Sequence, residues 1–244
     1  MFFLLYCFFL LRYFLTYSQN ETCFKDNERL EYLAYYGFIK GGYAILTLRE
    51  SDTIFHATAI AYSIGIVDKI YRVYDVYESF FSKKDLLSIK AIRNISEGNY
   101  RYYEEAIFDR ENNEVISSKD KRIKVKNNSI DVLCAFYYAR NFYLKNAQPG
   151  KIITINGYFD EKEYLFQIRC IGYETIETSL GKINCIVFSP VVERGRIFKT
   201  EDDVKIWISN DNNLIPIRLQ INLIVGSLKC DLVKYENLKF DPFK

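Results

Sequence analysis

The sequence predicts a mainly β fold: a curved antiparallel sheet, closing into a half-barrel or barrel of about ten or more strands, with one amphipathic helix packed on it. Three observations predict this. Apolar and polar residues alternate over most of the chain. Glycine, asparagine and aspartate turns punctuate those runs. A single stretch, residues 130–144, changes from period two to the period of a helix. The chain has 244 residues, 49% of them apolar, which lets a single domain bury roughly 70–75% of its unfolded surface. No long Pro/Gly/Ser stretch serves as a linker, so one domain is expected over residues 20–244.

The elements follow in order. "MFFLLYCFFLLRYFLTYSQN" is apolar until its last residues, and residues 1–19 are read as a signal peptide with a cut near residues 18–20. The alternative, an uncleaved anchor, needs about 20 apolar residues, and here about 16 are interrupted by Arg12. "ERLEYLAYYGFIKGGYAILTL" reads as two strands around a bend at Gly37 and Gly41-Gly42, and "TIFHATAIAYSIG" as a third. Residues 67–71, long enough for one helical turn, are taken as a short turn with a strand after it. Residues 88–128 read as successive hairpins whose turns are Glu97-Gly98-Asn99 and Asn112-Asn113.

The helix is "NSIDVLCAFYYARNFYL". Ser129 is placed to cap it, Asp131 sits in the first turn, and Leu133, Phe136, Tyr137 and Arg140 form one stripe. Alone in a β chain, that stripe packs on a face of the sheet. From residue 151 onward six strands are expected in series. The fourth and fifth form a hairpin around "NDNN", with Pro216 where the strand begins and a missing N–H does least harm. Trp207 lies on the face opposite Ile206 and Ile208, as a packing residue or as part of a ligand wall.

Charge and composition exclude several functions. The formal net charge of +2 falls to about +1 once Arg12 leaves with the leader, so bulk attraction to nucleic acid or anionic membranes is not expected. No phosphate-binding glycine loop, nucleophile elbow or zinc-binding helix is present. The mature cysteines, Cys23, Cys134, Cys170, Cys185 and Cys230, show no metal-ligand spacing. They are read as buried thiols, with disulfides the alternative. His56, the lone histidine, is read as structural. The basic run at 119–126 is taken as a solvated strand and turn, with an acidic partner the second reading. The aromatic share of 17% fits β preference and overall composition.

Four segments together resemble DUF3108, a family of uncharacterised exported bacterial proteins common in Bacteroidota. They are "LEYLAYYGFIKGGYAIL", "DVLCAFYYAR", "GYETIETSLGKINCIVFSP" and "KIWISNDNNLIPIRLQ". The resemblance implies a periplasmic β-rich domain and supplies no catalytic residue. The expected function is a periplasmic or cell-envelope binding module for a hydrophobic or lipid-like ligand, or an envelope assembly partner. Its groove would be built around Trp207, Phe136, Tyr137 and Arg140. No metal, cofactor, nucleic-acid partner or membrane span after leader cleavage is expected. The enzymatic alternative is a carboxylate-based hydrolase of an envelope glycan, which needs two acids about 5–10 Å apart across a cleft.

Overall fold

The computed structural model describes residues 21–191, 203–223 and 226–243; the expected leader lies outside them. Among the described residues, fourteen strands are joined in one antiparallel sheet. The first half holds β1 (Arg29–Tyr36), β2 (Ile39–Glu50), β3 (Ile54–Ser63), a short helix α1 (Gly65–Ile70), β4 (Tyr74–Ser82), β5 (Ser88–Glu97), β6 (Tyr100–Asp109), β7 (Glu114–Ser117) and β8 (Arg122–Lys124). The helix α2 (Val132–Phe142) and a single 3₁₀ turn (Leu144–Asn146) follow. The second half holds β9 (Ile152–Phe159), β10 (Lys162–Thr178), β11 (Gly181–Pro190), β12 (Val204–Ser209), β13 (Pro216–Asn222) and β14 (Ser227–Glu236). These last six strands match the sequence reading, including the turn at 210–213 and Pro216 at the start of its strand.

Each half is a meander, because most pattern-bearing runs are followed by a short turn that returns the chain beside itself, while β3 and β4 are joined through α1. The halves are zipped together by β1 and β14, whose ladder runs from Arg29–Glu236 to Tyr36–Leu228. That pairing leaves β8 and β9 at the two free edges. An unpaired edge is a liability, and the sheet curls until its edges meet through the segment before α2. Ile130 N–H donates to the Asn156 carbonyl at 3.1 Å, and Tyr158 N–H donates to the Ile130 carbonyl at 3.0 Å. The basic run at 119–126 takes part in this closure: Lys119 and Lys121 pair with Glu161 on the β9–β10 turn, and Lys126 N–H donates to Glu163 at 3.0 Å.

Three local expectations are corrected. Gly41-Gly42 makes no bend but lies inside β2; the turn is at Gly37, whose φ is +59°. Residues 65–70 form a helix, α1. The cap of α2 is Asp131 rather than Ser129, because Asp131 holds the extended backbone a cap requires and accepts from Leu133 N–H and Cys134 N–H at 2.9 and 3.0 Å. Tertiary contacts selected that residue: Ser79 and Ser88 each donate to its second oxygen at 2.6 Å.

The main core surrounds α2. Phe24, Leu48, Phe55, Phe81 and Leu133 pack there with Tyr137, whose ring meets Phe24 at 5.0 Å and Phe81 at 5.6 Å. A second core gathers Leu30, Ile176, Ile183, Trp207, Ile217 and Leu232. Among the described residues the five cysteines, Cys23, Cys134, Cys170, Cys185 and Cys230, are free thiols, three of them fully buried. Burial raises the pKa of Cys185 and of Cys230 to about 12, which leaves both inert as nucleophiles near neutrality.

Candidate functional site

Helix α2 has two apolar faces that do opposite things. One face carries Leu133, Tyr137 and Arg140 and is packed solid against the first half of the chain. Arg140 is fully buried, and its guanidinium donates to both oxygens of buried Glu28 at 2.6 and 2.9 Å and to the Asn213 carbonyl at 2.9 Å. Its charged plane lies 5.2–5.5 Å from the rings of Phe24, Phe136 and Tyr137, within cation–π range. Burial works against the charge, but the Glu28 carboxylate outweighs it and the Arg140 pKa is raised. The pair pins the end of the helix between the N-terminal segment and the β12–β13 loop.

The other face carries Val132, Ala135, Phe136 and Ala139, spaced i, i+3, i+4 and i+7. Where leucines would reach the sheet, Ala135 and Ala139 stop at a methyl group. The gap is a cavity of about 360 Å³ between α2 and strands β9 to β13. Its far wall is Ile153, Ile155, Phe166, Ile168, Phe188, Ile206, Ile208, Pro216 and Leu219, and Leu144 closes one end. Every lining residue is apolar. Phe136, Phe166, Ile206 and Leu219 are half-buried and mark the accessible side. Gly157 is part of this wall's design: a Cβ there would stand 2.2 Å from the Phe166 ring, so only glycine lets that ring lie against β9.

Of the four residues expected to form a groove, the structure brings Phe136 alone to the cavity. Tyr137 and Arg140 belong to the packed face. Trp207 falls between Ile206 and Ile208, both of which line the cavity, so the strand's period of two turns its ring to the opposite side. It is 6% exposed and its indole N–H donates to Glu174 at 2.9 Å. Large residues on a buried helix fill space, as Tyr137 and Arg140 do, and the space beside α2 is left by the small residues Ala135 and Ala139.

The lone histidine and a buried acid outside the cavity are held by neighbouring side chains. His56 sits 2.8 Å from Glu78 and stacks on Phe80 with ring centroids 4.1 Å apart. Buried Glu104 accepts from the hydroxyls of Tyr158 at 2.6 Å and Tyr102 at 3.1 Å. Among the described residues no cluster of three or more His, Cys, Asp or Glu is placed to hold a metal ion, and no helix is long and apolar enough to cross a membrane.

A curled antiparallel sheet wrapped on one central helix, with an apolar cavity on one side of it, defines a β-barrel-like protein. The chain belongs to the family of proteins of unknown function DUF3108, whose family model matches residues 31–233. Its fold is similar to the crystal structure of a β-barrel-like protein of domain of unknown function DUF1849 from Brucella abortus. That likeness has a TM-score of 0.55 at 9% identity and covers 89% of this chain and 100% of that one. A DUF1089 family protein from Pseudomonas aeruginosa matches with a TM-score of 0.43 at 10% identity, over 75% of this chain and 90% of that one. No curated protein matches the chain.

Proposed function

We propose that this protein is a binding module for a hydrophobic or lipid-like ligand, working in the cell envelope after export, and that the ligand's apolar chain occupies the cavity beside α2. One observation carries the reading: a space of about 360 Å³ whose lining offers no polar side chain. Ligand sites generally occupy about 300–1,000 Å³, and a cavity of this polarity holds no partners for water. At ~30 Å³ per water-sized group, the space accepts roughly a dozen such groups, the scale of a medium acyl chain. The apolar leader supports the envelope setting. The hydrolase alternative finds no acid in this cavity, and the buried carboxylates Glu28, Asp75, Glu104 and Asp131 are engaged by Arg140, the Ser96 backbone N–H, two tyrosines and two serines. None of them lines this cavity.

Fluorescence of N-phenylnaphthylamine, an apolar dye, tests the proposal. Titrating the protein should enhance it with a micromolar midpoint, and decanoate or dodecanoate should displace it. Native mass spectrometry of protein purified from an envelope extract should show a co-purifying amphiphile. Absence of both enhancement and adduct overturns the assignment.

A further inference from the structure

The antiparallel order places the β1–β2, β3–β4, β5–β6 and β13–β14 connections at the same end of the sheet. Three of them join into one surface. Ile64 N–H donates to the Gly41 carbonyl at 2.9 Å and Gly98 N–H to the Arg72 carbonyl at 2.7 Å. Val67 of α1 lies against Gly41, and the Tyr71 ring lies over Gly98. The adjoining β13–β14 turn is tied in by Gly37 N–H donating to the Ser227 carbonyl at 3.2 Å.

This surface has the polarity of a core turned outward. Phe38 is wholly exposed at the tip of the first turn, and Ile39 beside it is 50% exposed. Helix α1 has no buried residue. Ile66 and Ile70, four apart on one stripe, face out at 54% and 79%, the inverse of an ordinary surface helix. Tyr71 and Tyr100 are exposed beside them. The charges interleaved here are basic: Lys40, Lys69 and Arg101 are exposed. The acid on α1, Asp68, is already held by Arg72 at 3.0 Å and by the Ser63 hydroxyl at 2.8 Å. Glu97 is half-buried beside Asp75, and its pKa is raised by burial and then by Asp75.

We propose that this end of the sheet docks on the anionic interface of a lipid bilayer, with Phe38, Ile39, Ile66 and Ile70 entering the acyl boundary and Lys40, Lys69 and Arg101 meeting the headgroup phosphates. Apolar tips, amphipathic aromatics and flanking cations are the combination that interfacial binding requires. Near-neutral overall charge gives no bulk attraction, but a local cluster acts within a Debye length of the surface, about 8–10 Å. The inference is independent of the cavity, which is lined by none of these residues.

Hydrogen exchange of the full chain, read by mass spectrometry with and without phosphatidylglycerol–phosphatidylethanolamine vesicles, tests it at residue level. Amides of residues 37–40 and 65–71 should exchange at least threefold more slowly with vesicles, while residues 210–215 at the far end stay unchanged. Phosphatidylcholine vesicles should protect less. In Phe38→Asp/Ile70→Asp the vesicle concentration giving half-protection should rise at least tenfold, and Lys40→Gln/Lys69→Gln/Arg101→Gln should weaken protection and reduce its salt dependence. All five positions are exposed, so thermal melts should match the parent. Equal exchange with and without vesicles overturns the proposal, as does protection that survives the Phe38→Asp/Ile70→Asp change. Protection that follows protein concentration without lipid overturns it in favour of a second copy of the chain.

Discussion

Replacing Ala139 by leucine tests the cavity from both sides, because it should stabilise the fold while narrowing the proposed binding site. Ala139 lies on the cavity face of α2 and is itself 7% exposed. Leucine adds three carbons. At ~30 Å³ each they take roughly 90 Å³ of the 360 Å³ available, so they fit without displacing the far wall. Three buried carbons at about 0.8 kcal/mol each contribute ~2.4 kcal/mol, and fixing the leucine rotamer costs about 0.5–1 kcal/mol. The net gain is on the order of 1.5–2 kcal/mol, or a rise in Tm of roughly 3–8 °C for a chain of this size. Alanine and leucine are both strong helix formers, so helix propensity does not confound the comparison. Thermal melts by circular dichroism give the stability, and dye displacement by dodecanoate gives the affinity, which should fall at least tenfold. A destabilised variant, by the ~1–3 kcal/mol typical of overpacking, would show that the space is already filled and would refute the reasoning.

Three further outcomes follow from the same contacts. Arg140→Met leaves the buried Glu28 carboxylate unpartnered and should cost about 3–5 kcal/mol, whereas Glu28→Leu/Arg140→Met should recover most of that loss in urea unfolding. Asp131 has its pKa raised above the ordinary 3.8, first by burial and against the pull of its serine and backbone donors. Its neutral form is therefore the one the fold favours, so the contribution is complete below about pH 4 and is lost as pH rises through the folded value. Asp131→Asn keeps a capping side chain, and its stability relative to the parent should increase between pH 3.5 and pH 7. Trp207→Phe should cost on the order of 1–3 kcal/mol through its core with unchanged dye affinity, while Phe136→Ala should weaken dye binding severalfold; the opposite ranking would put the ligand on the other side of β12.

Much of the fold was legible because period-two burial is a local property. The six strands after residue 151, the 210–213 turn and the helix near 130–144 all follow from alternation, turn chemistry and a change of period. The helix cap was misplaced by two residues, since Ser129 and Asp131 are both competent caps locally. Only Ser79 and Ser88, 52 and 43 residues away, decide between them. The candidate site was the least legible part. Phe136 lines the cavity while Tyr137, Arg140 and Trp207 pack elsewhere, because in sequence a large residue looks alike whether it fills a core or lines a void.

By itself, the sequence determined a mainly β fold, the order and length of most strands, and a helix near residues 130–144 obliged to bury itself. Tertiary structure alone decided that β1 pairs with β14, that the sheet curls until its edges meet, and that α2 is packed on one face and gapped on the other. The reason is physical: backbone periodicity is encoded within a few neighbouring residues. A cavity is a mismatch between Ala135 and Ala139 and strands up to about eighty residues distant, and it exists only once both walls are in place.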